Sequence, residues 1–470
     1  MHLVQQLDTV TAQAISRCFA GVVGVIVTFA TASQAHAEVI HQLTQHSDGA
    51  CVVLAPDSDL VGRFIAFESS CDLTGANGDG NREIFRYDRE TRSLEQITDT
   101  SGCASTSPAI DGDGDRIVFD SDCDVVGTNI DESIEIYLLD GGTIIQLTDR
   151  TLCSNLAPDI DAAGDIIVFD GDCAYDSGNA DFSSEIFRVT ASGEITQLTF
   201  DSSGVGCGSF EASISLDGTL IAFESDCDLA GTNEDELAEV FSVTLQGAVT
   251  QMSADLSDSG CTTENPAVDG TGTFVTYESN CDPLGMNQDE SIEVFKVELS
   301  GATEQLTDDS TDSGCASSKP RISSDGSSIV FVSDCDASGE NLDANQEVFR
   351  VDTMGTQQLT DTTACANFDA AISGDSGEAV FASDCDLAAD NEDGSDELFA
   401  IYRCTCGAPV SGLTPPTATD ALFALNAAVD LMACALCECD TDDSGSVTAT
   451  DALLILNASV GIEAPALTCP

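Results

Sequence analysis

The 470-residue chain has no tryptophan, two lysines (Lys296 and Lys319) and four histidines, all before residue 50 (His2, His36, His41 and His46). Against 83 Asp and Glu it carries only 14 Lys and Arg, a formal net charge of −69. A surface so poor in cations repels nucleic acid and anionic lipid, so neither is expected as a partner. The lack of imidazole after residue 46 removes the commonest general base and metal ligand from most of the chain. Long apolar runs are also missing. The longest, CFAGVVGVIVTFA at residues 18–30, is too short to cross a bilayer, so no membrane span is expected. Disorder does not follow from the acidity, because 42% of residues are hydrophobic and Phe, Ile, Val and Leu recur in short clusters.

The short apolar run has Arg17 before it and Ala35-His36-Ala37 after it. That is the layout of an export signal over residues 1–37. The mature chain is expected to be secreted, extracellular or periplasmic, where cysteines oxidise.

Cysteine provides the repeat. Fourteen cysteines fall into seven pairs: Cys51/Cys71, Cys103/Cys123, Cys153/Cys173, Cys207/Cys227, Cys261/Cys281, Cys315/Cys335 and Cys365/Cys385. The separation is always 20 positions, and the pairs recur every 50–54 residues. Asp/Gly turns such as Asp111-Gly112-Asp113-Gly114 sit midway, with apolar stretches such as Arg116–Phe119 after them. This predicts a β-hairpin with the two cysteines opposite each other at its open end, and one disulfide per repeat. A third strand begins at a glutamate in every repeat (Glu83, Glu135, Glu185, Glu239, Glu293, Glu347, Glu397). A fourth is centred on a Gln-apolar-Thr/Ser triplet, as in Gln146-Leu147-Thr148. The seventh repeat lacks that triplet, and the spare copy is Gln42-Leu43-Thr44 at the other end. An N-terminal strand that completes the last repeat implies a closed ring: an all-β seven-bladed β-propeller over residues 38–403.

The P-x-[IV]-S-x-D-G pattern, best seen as Pro320-Arg-Ile-Ser-Ser-Asp-Gly326, is followed by I-x-F, E-[IV]-[FY] and Q-L-T. Together these resemble the TolB-like, or PD40, relatives of the WD40 repeat. The resemblance implies the propeller fold and says little about function.

Each repeat also carries an acidic loop, with Asn, Asp and Glu at +6, +8 and +12 from the second cysteine, as in Asn129/Asp131/Glu135. Two readings stay open: Ca²⁺ ligands, or a turn in which Asn and Asp bond their own backbone. The second is the expected one.

Residues 404–470 differ in composition. Thr417–Asn426 and Thr448–Asn457 repeat at an offset of 31, both with helical apolar spacing. The second is preceded by Asp440-Thr-Asp442-Asp-Ser444-Gly445-Ser446-Val447. This resembles a dockerin type I repeat, a small α-helical module. The resemblance implies Ca²⁺ held by the side chains of Asp440, Asp442, Ser444 and Asp451 and the carbonyl of Ser446. The first copy has Pro409, Ser411 and Leu413 where acids would stand. Six cysteines here (Cys404, Cys406, Cys434, Cys437, Cys439, Cys469) are expected to form three disulfides, with a zinc site at Cys434-x-x-Cys437 as the rival.

For function the expectation is a non-catalytic secreted scaffold that presents the propeller to a protein or polysaccharide partner. The alternative is an extracellular carbohydrate-active enzyme, lyase or glycosidase, that uses propeller-face carboxylates.

Overall fold

A computed structural model describes residues 38–46, 51–175, 178–200, 206–253, 260–308, 314–388, 391, 394–403, 416–429, 434, 439–441, 446–461 and 467. The expected export signal lies outside them. No helix among the described residues is long and apolar enough to cross a membrane.

Seven four-stranded antiparallel sheets form a seven-bladed propeller. Six blades take their strands consecutively. The seventh consists of Asn367–Ile372, Glu378–Ser383, Glu397–Arg403 and the N-terminal strand Glu38–Gln42. The last two pair antiparallel from Glu38↔Arg403 to Gln42↔Phe399. The displaced Gln-Leu-Thr triplet therefore closes the ring as its position suggests.

The repeat motif can be read as contacts. The aromatic of the second strand, Phe in six blades and Tyr277 in the fifth, stacks on the aromatic of the third in every blade, from Phe67/Phe85 to Phe381/Phe399, with centroids 5.5–5.9 Å apart. These rings are wholly buried and bring the dominant apolar area of each blade out of water. The turn residue of the P-x-I-[SD]-x-D-G motif caps its own hairpin: Asp111 Oδ1 accepts the N–H groups of Asp115 (3.0 Å) and Arg116 (3.2 Å). Gly114 follows at φ +74°, and an added Cβ there would lie 2.3 Å from Phe64 Cδ2 of the previous blade. The seventh blade has Ser376 in that conformation, at φ +62°.

All seven predicted disulfides are present, with Cα atoms 4.9–5.3 Å apart. The hairpin between them is less regular than an equidistant pairing implies. Every inner strand carries a bulge, so the register slips by one, for instance between Leu54 and Asp57. The bulge falls at Ala55-Pro56 and its counterparts, where proline has no N–H to offer the ladder in five of seven blades.

After the propeller come two helices, α1 (Ala418–Ala427) and α2 (Ala449–Ser459). They pack through Ala421, Ala424, Ala452 and Ile455. Each starts with a capping box, Thr417/Asp420 and Thr448/Asp451. The structure thus shows a propeller plus two short helices; it does not show a dockerin-like calcium module.

Candidate functional site

The loop glutamates are structural hubs. Glu135 is buried; it accepts from the Thr148 hydroxyl of the fourth strand, from the Arg150 N–H (2.7 Å) and from Asn155 Nδ2 (2.9 Å) of the next blade. Thr148 Oγ1 in turn accepts the Ile136 N–H at 2.8 Å. That circuit explains why a Glu three strands in is coupled to a Thr in the Gln-Leu-Thr triplet. The loop asparagines are buried as well. Asn129 Nδ2 donates to Cys123 O (3.3 Å) and Ser133 O (2.7 Å), while its N–H is taken by Asp124 (2.9 Å). These partners support the turn reading of the acidic loops.

In the second capping box the Asp451 carboxylate is wholly buried. It accepts the N–H groups of Thr441 and Thr448, both at 2.8 Å, and both of their hydroxyls. Asp440, next to Thr441 in sequence, is equally buried. Ser446 is described, but Asp442 and Ser444 lie outside the described residues. Of the expected ligand set, Asp440 and Asp451 are thus both buried, and the Asp451 carboxylate lies against Thr441, the residue after Asp440. Cys434 is bonded to Cys439, which removes it from the rival Cys434/Cys437 zinc pair. The other four cysteines fall outside the described residues.

The central channel forms a cavity of about 490 Å³ walled by the seven inner strands. At its turn end the seven hairpins are joined in a closed circle of backbone hydrogen bonds. It runs from Leu60 N–H to Gly112 O (3.3 Å) around to Asp375 N–H to Leu60 O (2.9 Å). At the bulge level one non-glycine residue per blade has positive φ: Ala55, Ser107, Ala157, Glu211, Asn265, Lys319 and Asp369. Such backbone is costly and persists where neighbours over-determine it. Here the neighbours are visible. From blades one to five a second-strand carboxylate accepts the bulge N–H of the following blade: Glu68 from Ser107 (2.9 Å), Asp120 from Ala157 (3.0 Å), Asp170 from Glu211 (3.2 Å), Glu278 from Lys319 (2.5 Å). Glu224 does the same for Asn265. Blades six and seven have Val332 and Ala382 there, and Asp369 takes the Ala55 N–H instead (3.3 Å).

Two residues beyond the bulge the repeat breaks chemically, with Asp57 in blade one, Asp159 in blade three and Arg321 in blade six. Asp57 Oδ2 accepts the Ile110 N–H and Asp159 Oδ2 the Ile214 N–H, each at 2.8 Å. Burial pushes the Asp57 carboxyl up to about 7, and the charge of Asp159 adds to this. Asp159 is also raised, by burial. Arg321 pulls both back down electrostatically. Lys319 Nζ pairs with Asp369 Oδ1 at 2.5 Å. Two carboxyls that oppose each other's ionisation near a guanidinium can divide the roles of proton donor and acceptor. Sequence reasoning missed these residues because it followed what the blades share. The available signal was where they differ, at X-Pro-X inside a strand.

No family model matches the chain, and no curated protein matches it. Solved structures do. An oligogalacturonate lyase from Vibrio parahaemolyticus aligns at 13% identity and TM-score 0.52, over 77% of this chain and 93% of its own. An oligogalacturonate lyase in complex with manganese aligns at 12% identity and TM-score 0.52, over 79% and 94%. TolB from Acinetobacter baumannii aligns at 19% identity and TM-score 0.40, over 64% and 65%. At these identities the likeness shows the propeller fold. It corrects the expectation of a non-catalytic scaffold, and with it the classification as a non-enzyme. The same architecture, over nearly its whole length, belongs to enzymes, so a blade ring with repeated acids is no argument against catalysis. A manganese-bound neighbour also makes a metal plausible on this fold.

Proposed function

We propose that the chain is an exported carbohydrate-active enzyme of lyase or glycosidase type, whose active site is the central channel. The observation that carries this is the break in the repeat. Asp57, Asp159 and Arg321 stand on equivalent inward positions where the other blades have Ala or Ser. Asp57, protonated near neutrality, gives its proton to the leaving oxygen. Asp159 accepts a proton from the sugar or from water. Arg321 stabilises negative charge that develops between them. The eight disulfides among the described residues fit an extracellular or periplasmic setting. The test is turnover on a panel of oligosaccharides that includes oligogalacturonate, read as new reducing ends or unsaturated product. Asp57→Asn and Asp159→Asn should each lower kcat about 100-fold or more with the melting temperature kept. Unchanged turnover in both variants would sink the reading.

A second site has separate support. Asp440 and Asp451, both wholly buried, close the two ends of one short loop. The donor set suits a hard cation, and Ca²⁺ there would share Asp440 and Asp451 with Asp442, Ser444 and the Ser446 carbonyl. It would supply folding energy to the helix pair. Titration calorimetry on chelator-treated protein should then find about one ion per chain, lost in Asp440→Asn.

A further inference from the structure

The channel is polar in the directional sense. Its cationic wall is blade six, where Arg321 and Lys319 are two of only 14 basic residues in the chain. In a ring of seven the wall across from blade six is formed by blades two and three. Asp159 stands on blade three, and exposed Glu211 is on the next blade, backed by Glu224. The two cations are not equivalent. Lys319 is already paired with Asp369, and its own N–H is held by Glu278. Arg321 is exposed in the channel; it donates to the Pro320 carbonyl at 3.2 Å and enters no ion pair among the described residues. Its guanidinium presents a planar fork suited to a carboxylate. Asp159 on the far wall and Glu211 beside it on blade four present carboxylates suited to an ammonium.

The long-range field decides which ligand can use both. A net charge of −69 repels an anion before it reaches Arg321, and attracts a cation to the whole surface. A ligand with one ammonium and one carboxylate feels neither to first order, and gains at both walls. From the placement of Arg321 against Asp159 and Glu211 we infer that the channel binds a compact zwitterion, its carboxylate on Arg321 and its ammonium on the blade three–four arc. The chemistry is shared by amino-sugar acids and by short peptides with free ends. This deepens the channel reading above and rests on it.

The experiment measures binding of four probes to the full mature chain by calorimetry at low and at moderate salt. The probes are muramic acid (zwitterionic sugar), glycylglycine (zwitterionic peptide), glucosamine (cation) and galacturonate (anion). The expected result is tightest binding of a zwitterion, changing less than about twofold with salt while glucosamine weakens several-fold. Arg321→Gln should weaken the zwitterion about tenfold and leave glucosamine unchanged; Glu211→Gln, on the exposed arc, should weaken both. Preference for muramic acid over glycylglycine assigns the sugar source, and the reverse assigns the peptide source. Galacturonate as the best ligand, dependent on Arg321, would overturn the zwitterion and keep the channel as the site. A zwitterion bound equally by wild type and Arg321→Gln would overturn the inference outright. If none of the four binds, the inference fails, and the channel reading then stands or falls on the turnover of Asp57→Asn.

Discussion

Lowering the pH from about 8 to about 5.5 should stabilise this protein, although most proteins gain nothing over that range. The carboxylates that hold the bulge amides are buried between blades, and desolvation raises Asp120 to about 6, Asp170 to about 7 and Glu224 to about 8. Asp57 in the channel is raised to about 7. Each native pKa lies above its unfolded value, so the native state binds protons that the unfolded state does not. Their stabilisation is complete below the unfolded value near 4 and is lost as pH rises through 6 to 8. One group acts the other way: His41, buried and close to Arg92 and Arg89, is lowered to about 4, which costs stability as pH falls below 6.5. A one-unit shift is worth about 1.4 kcal/mol, and Asp120, Asp170 and Glu224 share part of their shifts through mutual repulsion, so we take about half the formal sum of the four acids. The net after His41 is roughly 3 kcal/mol, or about 4 °C in Tm for a chain of this size. The assay is calorimetric melting between the two pH values with chelator present, on wild type and Glu224→Gln. The variant should lose about a third of the gain. A Tm that is flat or falls on acidification would refute the assignment of these carboxylates as buried stitches.

Other consequences are local. Replacing Cys103 and Cys123 together by alanine should cost about 3 kcal/mol, since the bond closes a loop of 20 residues; melting under non-reducing conditions reads it. Thr148→Val removes one donor from the buried Glu135 carboxylate and leaves the Ile136 N–H without its acceptor, and should cost about 2 kcal/mol in urea unfolding. Gly114→Ala combines positive φ with a clash on Phe64 and should cost at least about 2 kcal/mol, whereas Ser376→Gly in the equivalent turn should be neutral or mildly stabilising.

The blade count, the ring closure and every propeller disulfide were legible because each repeats with a fixed spacing, and a period reports a fold. The Glu/Thr pairing was visible as two motifs, but its meaning was not. A buried circuit joining Glu135, Thr148 and Asn155 depends on the contact between neighbouring blades, which no local pattern encodes. The bulges were hidden for a different reason. Equidistant cysteines suggest an even hairpin, and the slip at Ala55-Pro56 leaves the cysteine spacing untouched. The channel residues were lost because Asp57, Asp159 and Arg321 are far apart in sequence and occupy the variable position after the motif proline, which a shared pattern leaves unread. Only the topology places them around one axis.

The measurement that most directly tests the channel as an active site is the pH dependence of kcat/KM on whichever oligosaccharide is turned over, in wild type and Asp57→Asn. The account predicts a basic limb titrating near 7 in wild type, set by the Asp57 proton, and its disappearance together with most of the rate in the variant. The same limb and the same rate in Asp57→Asn would contradict it.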